Sequence, residues 1–200
     1  MKSRLASSIK FVSICLLLGG VFWAQLARAT NFAGEIIRIV REPEYIAESL
    51  SPSLLEYFRE FQASQERQDL DGALRAIQRL TTELTAEPTS DAYTYCMGYR
   101  ALLEETANRH SEAIQTLERL RTARSDLQGI EIRYLADLEV ARIMLDNGGN
   151  PNLPDFTPSF EDVSGAVNRV FSNYDAYQYD VILMHVKYAN DVIEKGIFWL

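Results

Sequence analysis

The sequence is poor in the residue types that carry most enzyme chemistry. It has two histidines, His110 and His185, and two cysteines, Cys15 and Cys96, none at the spacing of a metal-binding motif. It also lacks a glycine-rich phosphate loop and the Gly-x-Ser-x-Gly turn that presents a nucleophilic serine. The sequence therefore predicts no enzyme, no metal site and no cofactor.

Positive charge is also scarce. The chain has 20 Lys and Arg against 28 Asp and Glu, a net charge of −8. Binding to nucleic acid is driven by cationic side chains that displace counterions from phosphates. We therefore expect no nucleic-acid partner, and a surface that its acidic residues keep soluble.

Apolar runs are short, and the longest is at the N-terminus, at residues 11–24. A membrane span needs about 20 apolar residues. This run follows three cationic residues and precedes a small-x-small site, the pattern of a cleaved signal peptide: Lys2, Arg4, Lys10 and Ala27-Arg28-Ala29. The prediction is a signal peptide at residues 1–29 and an exported protein, periplasmic or secreted, with no membrane span after cleavage. An uncleaved N-terminal anchor is the alternative.

Cleavage would change both the charge and the thiol content of the protein. It removes four cationic residues and no acidic one, so the net charge goes from −8 to −12. It also removes Cys15 and leaves Cys96 without an intrachain disulfide partner. Because Cys96 has apolar neighbours, we expect it to be buried and unreactive.

From residue 51 onward the apolar residues recur at the three- and four-residue steps of helices. The pattern predicts seven helices in one domain, residues 51–200: the first at about 52–67, the second ending before Pro88, the third from about 89, the fourth from about 108, the fifth at about 130–145, the sixth from about 157 and the seventh at about 176–195. Residues 30–50 stay open between a short strand, a leading helix and a tail that docks on the rest.

Two of the predicted helices carry the same pattern 40 residues apart. Ala73 aligns with Ala113, and Ile77 aligns with Leu117. A small residue followed four positions later by a large aliphatic one suits the second helix of a repeated hairpin, because the small residue lets the first helix approach closely. The sequence therefore favours stacked helical hairpins.

These residues resemble the tetratricopeptide family over about residues 54–127. The resemblance implies an all-α fold of antiparallel helical hairpins, stacked as a short tetratricopeptide-like right-handed superhelix that binds proteins or peptides. An irregular helical bundle is the alternative architecture.

Tyrosine beside arginine is typical of binding surfaces. Tyr95 and Arg100 on the third predicted helix, and Arg133 and Tyr134 on the fifth, would lie on the inner curve of such a stack, and they are the candidate partner-binding residues. Core packing is the other explanation for these tyrosines. The predicted function is an exported adaptor or scaffold of the cell envelope that binds another envelope or secreted protein or peptide. The alternative is a small-ligand binder, or an accessory subunit of an envelope enzyme or transport complex.

Two further features are open to more than one interpretation. His110 stands at a predicted helix start beside Ser111 and Glu112, which suggests local capping. The apolar end at residues 196–200 either caps an open end of the stack or docks on a partner.

Overall fold

The computed structural model describes residues 32–40, 43–125, 129–148, 150, 152–153 and 155–174. Within these residues the protein contains eight α-helices and no strand, which confirms the predicted all-α class. The helices are α1 (Ala33–Val40), α2 (Pro43–Ser49), α3 (Pro52–Glu66), α4 (Leu70–Glu83), α5 (Asp91–Thr106), α6 (His110–Ala123), α7 (Ile130–Asn147) and α8 (Phe160–Tyr174). A 3-10 turn at Leu84–Ala86 follows α4.

The helix starts follow from local capping chemistry. α3 begins at Pro52, where a proline costs nothing because its missing N–H would have no helical acceptor. The Asp69 carboxylate accepts a hydrogen bond from the Gly72 amide at 2.9 Å and starts α4. The Ser90 hydroxyl accepts one from the Tyr93 amide at 3.1 Å and starts α5. A capping side chain directly before the first helical residue therefore sets where α4 and α5 begin.

From α3 to α8, each helix packs against the next one along the chain. The interior between them is built from large apolar side chains with almost no exposure: Phe58, Phe61, Ile77, Leu80, Met97, Leu117, Leu120, Tyr134 and Leu135. Cys96 lies in this interior, and burial raises the pKa of its thiol to about 12. The expectation that Cys96 is buried is confirmed.

The connections α3–α4 and α5–α6 have the same backbone hydrogen bonds 40 residues apart. Gln68 and Asn108 each adopt a left-handed backbone, with φ of 57° and 58°. The next amide, of Asp69 or Arg109, donates to the carbonyl five residues earlier, at 2.9 and 2.8 Å. Two different sequences therefore make the same tight reversal between two packed helices.

The described residues of this segment form α1 and α2, so of the three possibilities for residues 30–50 the short strand is wrong. α1 is a leading helix that packs against α5 and α7, and α2 packs against α5. Three apolar residues of α1 are buried: Ala33, Ile36 and Val40.

Several sequence predictions lie outside the described residues. These are the signal peptide at residues 1–29, the seventh helix at about 176–195, His185 and the apolar end at residues 196–200. Among the helices that the structure describes, none is long and apolar enough to cross a membrane.

Candidate partner-binding face

The helix α1 covers one side of α5 and α7, which we call the α5–α7 face. The large side chains buried here are Ile36 and Val40 of α1 and Phe32 directly before it, at 0%, 7% and 1% exposed. On α5 the contact is made at Gly98. A Cβ atom there would lie 3.1 Å from Ile37 Cγ1 and 3.4 Å from Ile36 Cγ2. A glycine at this point therefore lets α1 lie close against the α5 backbone.

Aromatic rings continue this face towards α3. The Tyr95 ring packs at a tilt against Phe58 and Tyr99, at 6.0 and 4.9 Å between ring centroids, and Tyr99 meets Phe61 edge-on at 5.2 Å. Burial, with Tyr99 next to it, raises the pKa of the Tyr95 hydroxyl above its ordinary value of 10. Tyr95 is thus part of the joint between the first hairpin and α5.

A cavity of about 550 Å³ lies beside α1. Its walls are mostly apolar and come from four helices, with Ile37 of α1, Ala73 of α4, and Tyr99 and Leu102 of α5 among them. The end of α3 and the α3–α4 connection add polar residues, which include Gln65 and Gln68. This volume falls in the range of small-molecule sites.

The structure places the four predicted partner-binding residues in two different environments. Tyr95 and Tyr134 are 2% and 1% exposed, so their rings are core and a partner reaches neither without rearrangement. Arg100 pairs with Glu104 at 2.7 Å, and Arg133 donates to the backbone carbonyl of Arg124. Both arginines keep partial exposure. That these four residues contact a partner remains a prediction.

Charged groups, which the sequence reasoning missed, lie in the interior between α5 and α6. Glu104 has no exposed surface. Its carboxylate accepts hydrogen bonds from Arg100 Nε at 2.7 Å and from the Thr116 hydroxyl at 2.6 Å. Because a buried carboxylate is costly unless it is paired and hydrogen-bonded, these contacts hold α5 and α6 in one register.

A second group of charges joins α5 to α7 around Arg142. Its guanidinium lies 2.7 Å from Glu105, 2.8 Å from Glu139 and 3.2 Å from Asp146. Burial raises the pKa of Glu139 from 4.5 to about 7, and the opposing charge of Arg142 only reduces this shift. Two buried carboxylates and the more exposed Asp146 therefore share the Arg142 guanidinium.

A third group extends to α8. The buried Asp137 carboxylate lies 2.9 Å from Arg121 Nε and 3.2 Å from Arg169 Nε, and Arg169 also reaches Glu118 at 2.7 Å. The signal for such pairs was present in the sequence of α7. Its apolar residues run all the way round the helix and so require that the acidic residues among them be buried as well.

The prediction that His110 caps a helix is wrong. No side chain caps the start of α6 in the described part of the chain, and the position before it is Arg109. The His110 side chain is instead buried, at 5% exposed, with its ring 5.2 Å from the ring of Phe156. Neither ring nitrogen has a hydrogen-bond partner among the described residues.

Comparison with protein-family models, with described proteins and with solved structures found no match for the chain. In the ranges that the structure describes, no three His, Cys, Asp or Glu side chains are grouped as metal ligands. Any inference about function therefore rests on the geometry of the α5–α7 face and of the cavity beside it.

Proposed function

We propose that this chain is an exported protein-binding adaptor of the cell envelope that holds an apolar-faced helix of another protein or peptide on the α5–α7 face. One observation carries the proposal: α1 already lies there as an eight-residue helix that buries Ile36 and Val40, with Phe32 buried directly before it. Helix-in-groove binding uses anchors at this spacing.

The arrangement of the hairpins supports a tetratricopeptide-like right-handed stack as the scaffold. Consecutive helices from α3 to α8 pack in chain order, and the two three-residue connections recur 40 residues apart. In such a stack the first helices of successive hairpins, here α5 and α7, form the inner surface. A partner helix there would take the place of α1.

Photo-crosslinking in intact cells tests this proposal. A photoreactive phenylalanine analogue replaces Tyr99, an aromatic residue of α5 beside α1, or Phe160, which is 52% exposed on α8. We expect a saturable crosslinked species from position 99 and none from position 160. Equal products at both positions, or none at either, would contradict a partner at the α5–α7 face.

A pair of glycine variants sharpens the test. Gly98→Leu places a side chain where Ile36 and Ile37 now lie, whereas Gly165→Leu on α8 enters open space. If the partner replaces α1, Gly98→Leu changes the crosslinking yield at position 99 and Gly165→Leu leaves it unchanged.

The cavity of about 550 Å³ supports a second candidate function, that of a small-ligand binder. Leu102→Trp fills this space from α5. Under this function, an apolar metabolite from a thermal-shift panel raises the melting temperature of the parent protein and does not raise that of the variant. A panel without any such compound favours the adaptor.

A further inference from the structure

The start of α6 differs from the start of α4 in the group that satisfies its amides. The first-turn N–H groups of a helix have no acceptor within the helix, and they attract negative charge. At α4 the Asp69 carboxylate meets this need. At α6 the equivalent position is Arg109, which provides no cap.

A polar cavity of about 290 Å³ opens at this uncapped helix end. The first turn of α6 forms one wall, from Arg109 to Glu112. Residues of the loop between α7 and α8 form the other, with Asn152, Asp155 and Phe156 among them. The cavity thus joins free backbone donors to side chains of both charges.

His110 lines the same cavity and supplies a second, independent observation. Its side chain is buried, yet Nδ1 and Nε2 have no hydrogen-bond partner in the described part of the chain. Burial, and after it the charge of Arg142, lowers the pKa of its imidazole below 6.5. A neutral imidazole has one N–H donor and one acceptor nitrogen, and leaving both unpaired costs free energy that a bound polar group would restore.

We propose that this cavity is a binding site for a small monocarboxylate, whose oxygens accept hydrogen bonds from the first-turn amides of α6 and from the His110 imidazole. The carboxylate takes the role that Asp69 has at α4. One negative charge fits the site better than two, because the side chains of Glu112 and Asp155 also line it. This site is separate from the α5–α7 face, and its test is independent of the proposed adaptor function.

The test is a nuclear magnetic resonance titration of the purified protein with sodium propionate, against sodium chloride at equal ionic strength. The chain has only two histidines, so the imidazole signals of His110 are assigned by comparison with a His185→Gln variant. We expect saturable shifts of the His110 ring and of the Ser111 and Glu112 amides. The amides of Asp71 and Gly72 at α4, which has its own cap, stay unchanged.

Two variants separate binding from folding. Arg109→Asp gives α6 the cap that α4 has, and it should weaken propionate binding at least about tenfold, because the new side chain occupies the amides. His110→Leu introduces the residue found at the equivalent position of α4, Leu70, and should also lose propionate binding. Because it removes an unpaired buried polar group, it should not lower the denaturant midpoint.

Three results would overturn the proposal. One is the absence of a saturable shift with propionate. Another is inorganic phosphate binding as tightly as propionate, which would show that the site does not select a single negative charge. The third is unchanged propionate binding in folded His110→Leu and Arg109→Asp proteins.

Discussion

The hairpins α3–α4 and α5–α6 have the same backbone turn but different polar side chains in their interiors. Their connections make the same hydrogen bonds, and Ala73 and Ala113, like Ile77 and Leu117, are buried at equivalent positions. Where the first hairpin has buried Ser64 and Ala76, the second has Glu104 and Thr116, joined by a hydrogen bond.

The comparison separates the residues that form the hairpin from those that place charged groups in its interior. The apolar positions and the left-handed turn residue are enough to make the hairpin. The second hairpin holds a carboxylate and its donor at two of these interior positions and keeps the same connection. Buried carboxylates continue from the second hairpin to α7, and their ion pairs reach α8.

The largest expected effect comes from removing the cation that the second hairpin shares with α7. Arg142→Ala leaves Glu105 and Glu139 buried without their partner, and we expect a loss of about 3–5 kcal/mol in the free energy of unfolding. Urea denaturation followed by circular dichroism measures it. The matched variant in the first hairpin is Arg79→Ala, whose exposed pair with Glu60 spans 3.7 Å and should contribute less than about 1 kcal/mol. Equal losses of unfolding free energy in Arg142→Ala and Arg79→Ala would contradict the distinction between the two hairpins.

The second prediction concerns pH. Because the pKa of Glu139 rises from 4.5 to about 7 on folding, the folded state holds a proton that the unfolded state releases between these values. The stability from this carboxyl is full below pH 4.5 and is lost as the pH rises through about 7. Glu139→Gln should remove this loss, on the order of 2 kcal/mol between pH 4.5 and 8.

The control for this pH dependence is Glu60→Gln in the first hairpin, where the side chain is half-exposed. Its unfolding free energy should follow that of the parent protein across the pH range. A Glu139→Gln curve that also runs parallel to the parent would contradict the prediction.

The third prediction separates the hydrogen bond inside the second hairpin from its packing. Thr116→Ala removes the donor that satisfies the buried Glu104 carboxylate, and we expect a loss of about 1–3 kcal/mol. Thr122→Ala, on the exposed side of the same helix, should change the free energy by less than about 0.5 kcal/mol. Equal effects from the two threonines would show that Glu104 does not depend on this donor.

The smallest expected effect on stability concerns the capped start of α4 and the uncapped start of α6. Asp69→Ala removes the cap of α4 and should cost about 1 kcal/mol. Arg109→Ala removes no cap and takes a cation away from a helix N-terminus, so it should cost nothing or stabilise slightly. Thermal melts of both variants check the difference, and a larger loss for Arg109→Ala would reverse it.

Most of the helix boundaries could be predicted from local pattern, because capping residues and apolar spacing act within a few residues. The predicted start of the first helix at residue 52 and that of the fifth at residue 130 match α3 and α7. Residues 30–50 were ambiguous because an eight-residue helix is not stable alone. α1 is helical only because α5 and α7 bury its apolar side.

The site was less predictable. Tyr95 and Tyr134 have the composition of a contact surface, yet packing buries them, because residue type does not tell which side of a helix meets another helix. Glu104 resembles an acidic surface residue in sequence, and the pattern of α7 predicts that Asp137 and Glu139 are buried but not which cations they meet. Their partners lie on other helices, as Thr116, Arg121 and Arg169 do, or one turn away, as Arg100 and Arg142 do.

By itself, the sequence determined the helical class, the order of the helices and the sparse supply of catalytic residue types, because these depend on composition and on spacing within one helix. Only the tertiary structure decided that α1 covers α5 and α7, that ten polar or charged residues are buried among the described ones, and that His110 stands unpaired at a cavity. The physical reason is that burial and charge pairing are set between helices, by groups that are distant along the chain and adjacent only once it is folded.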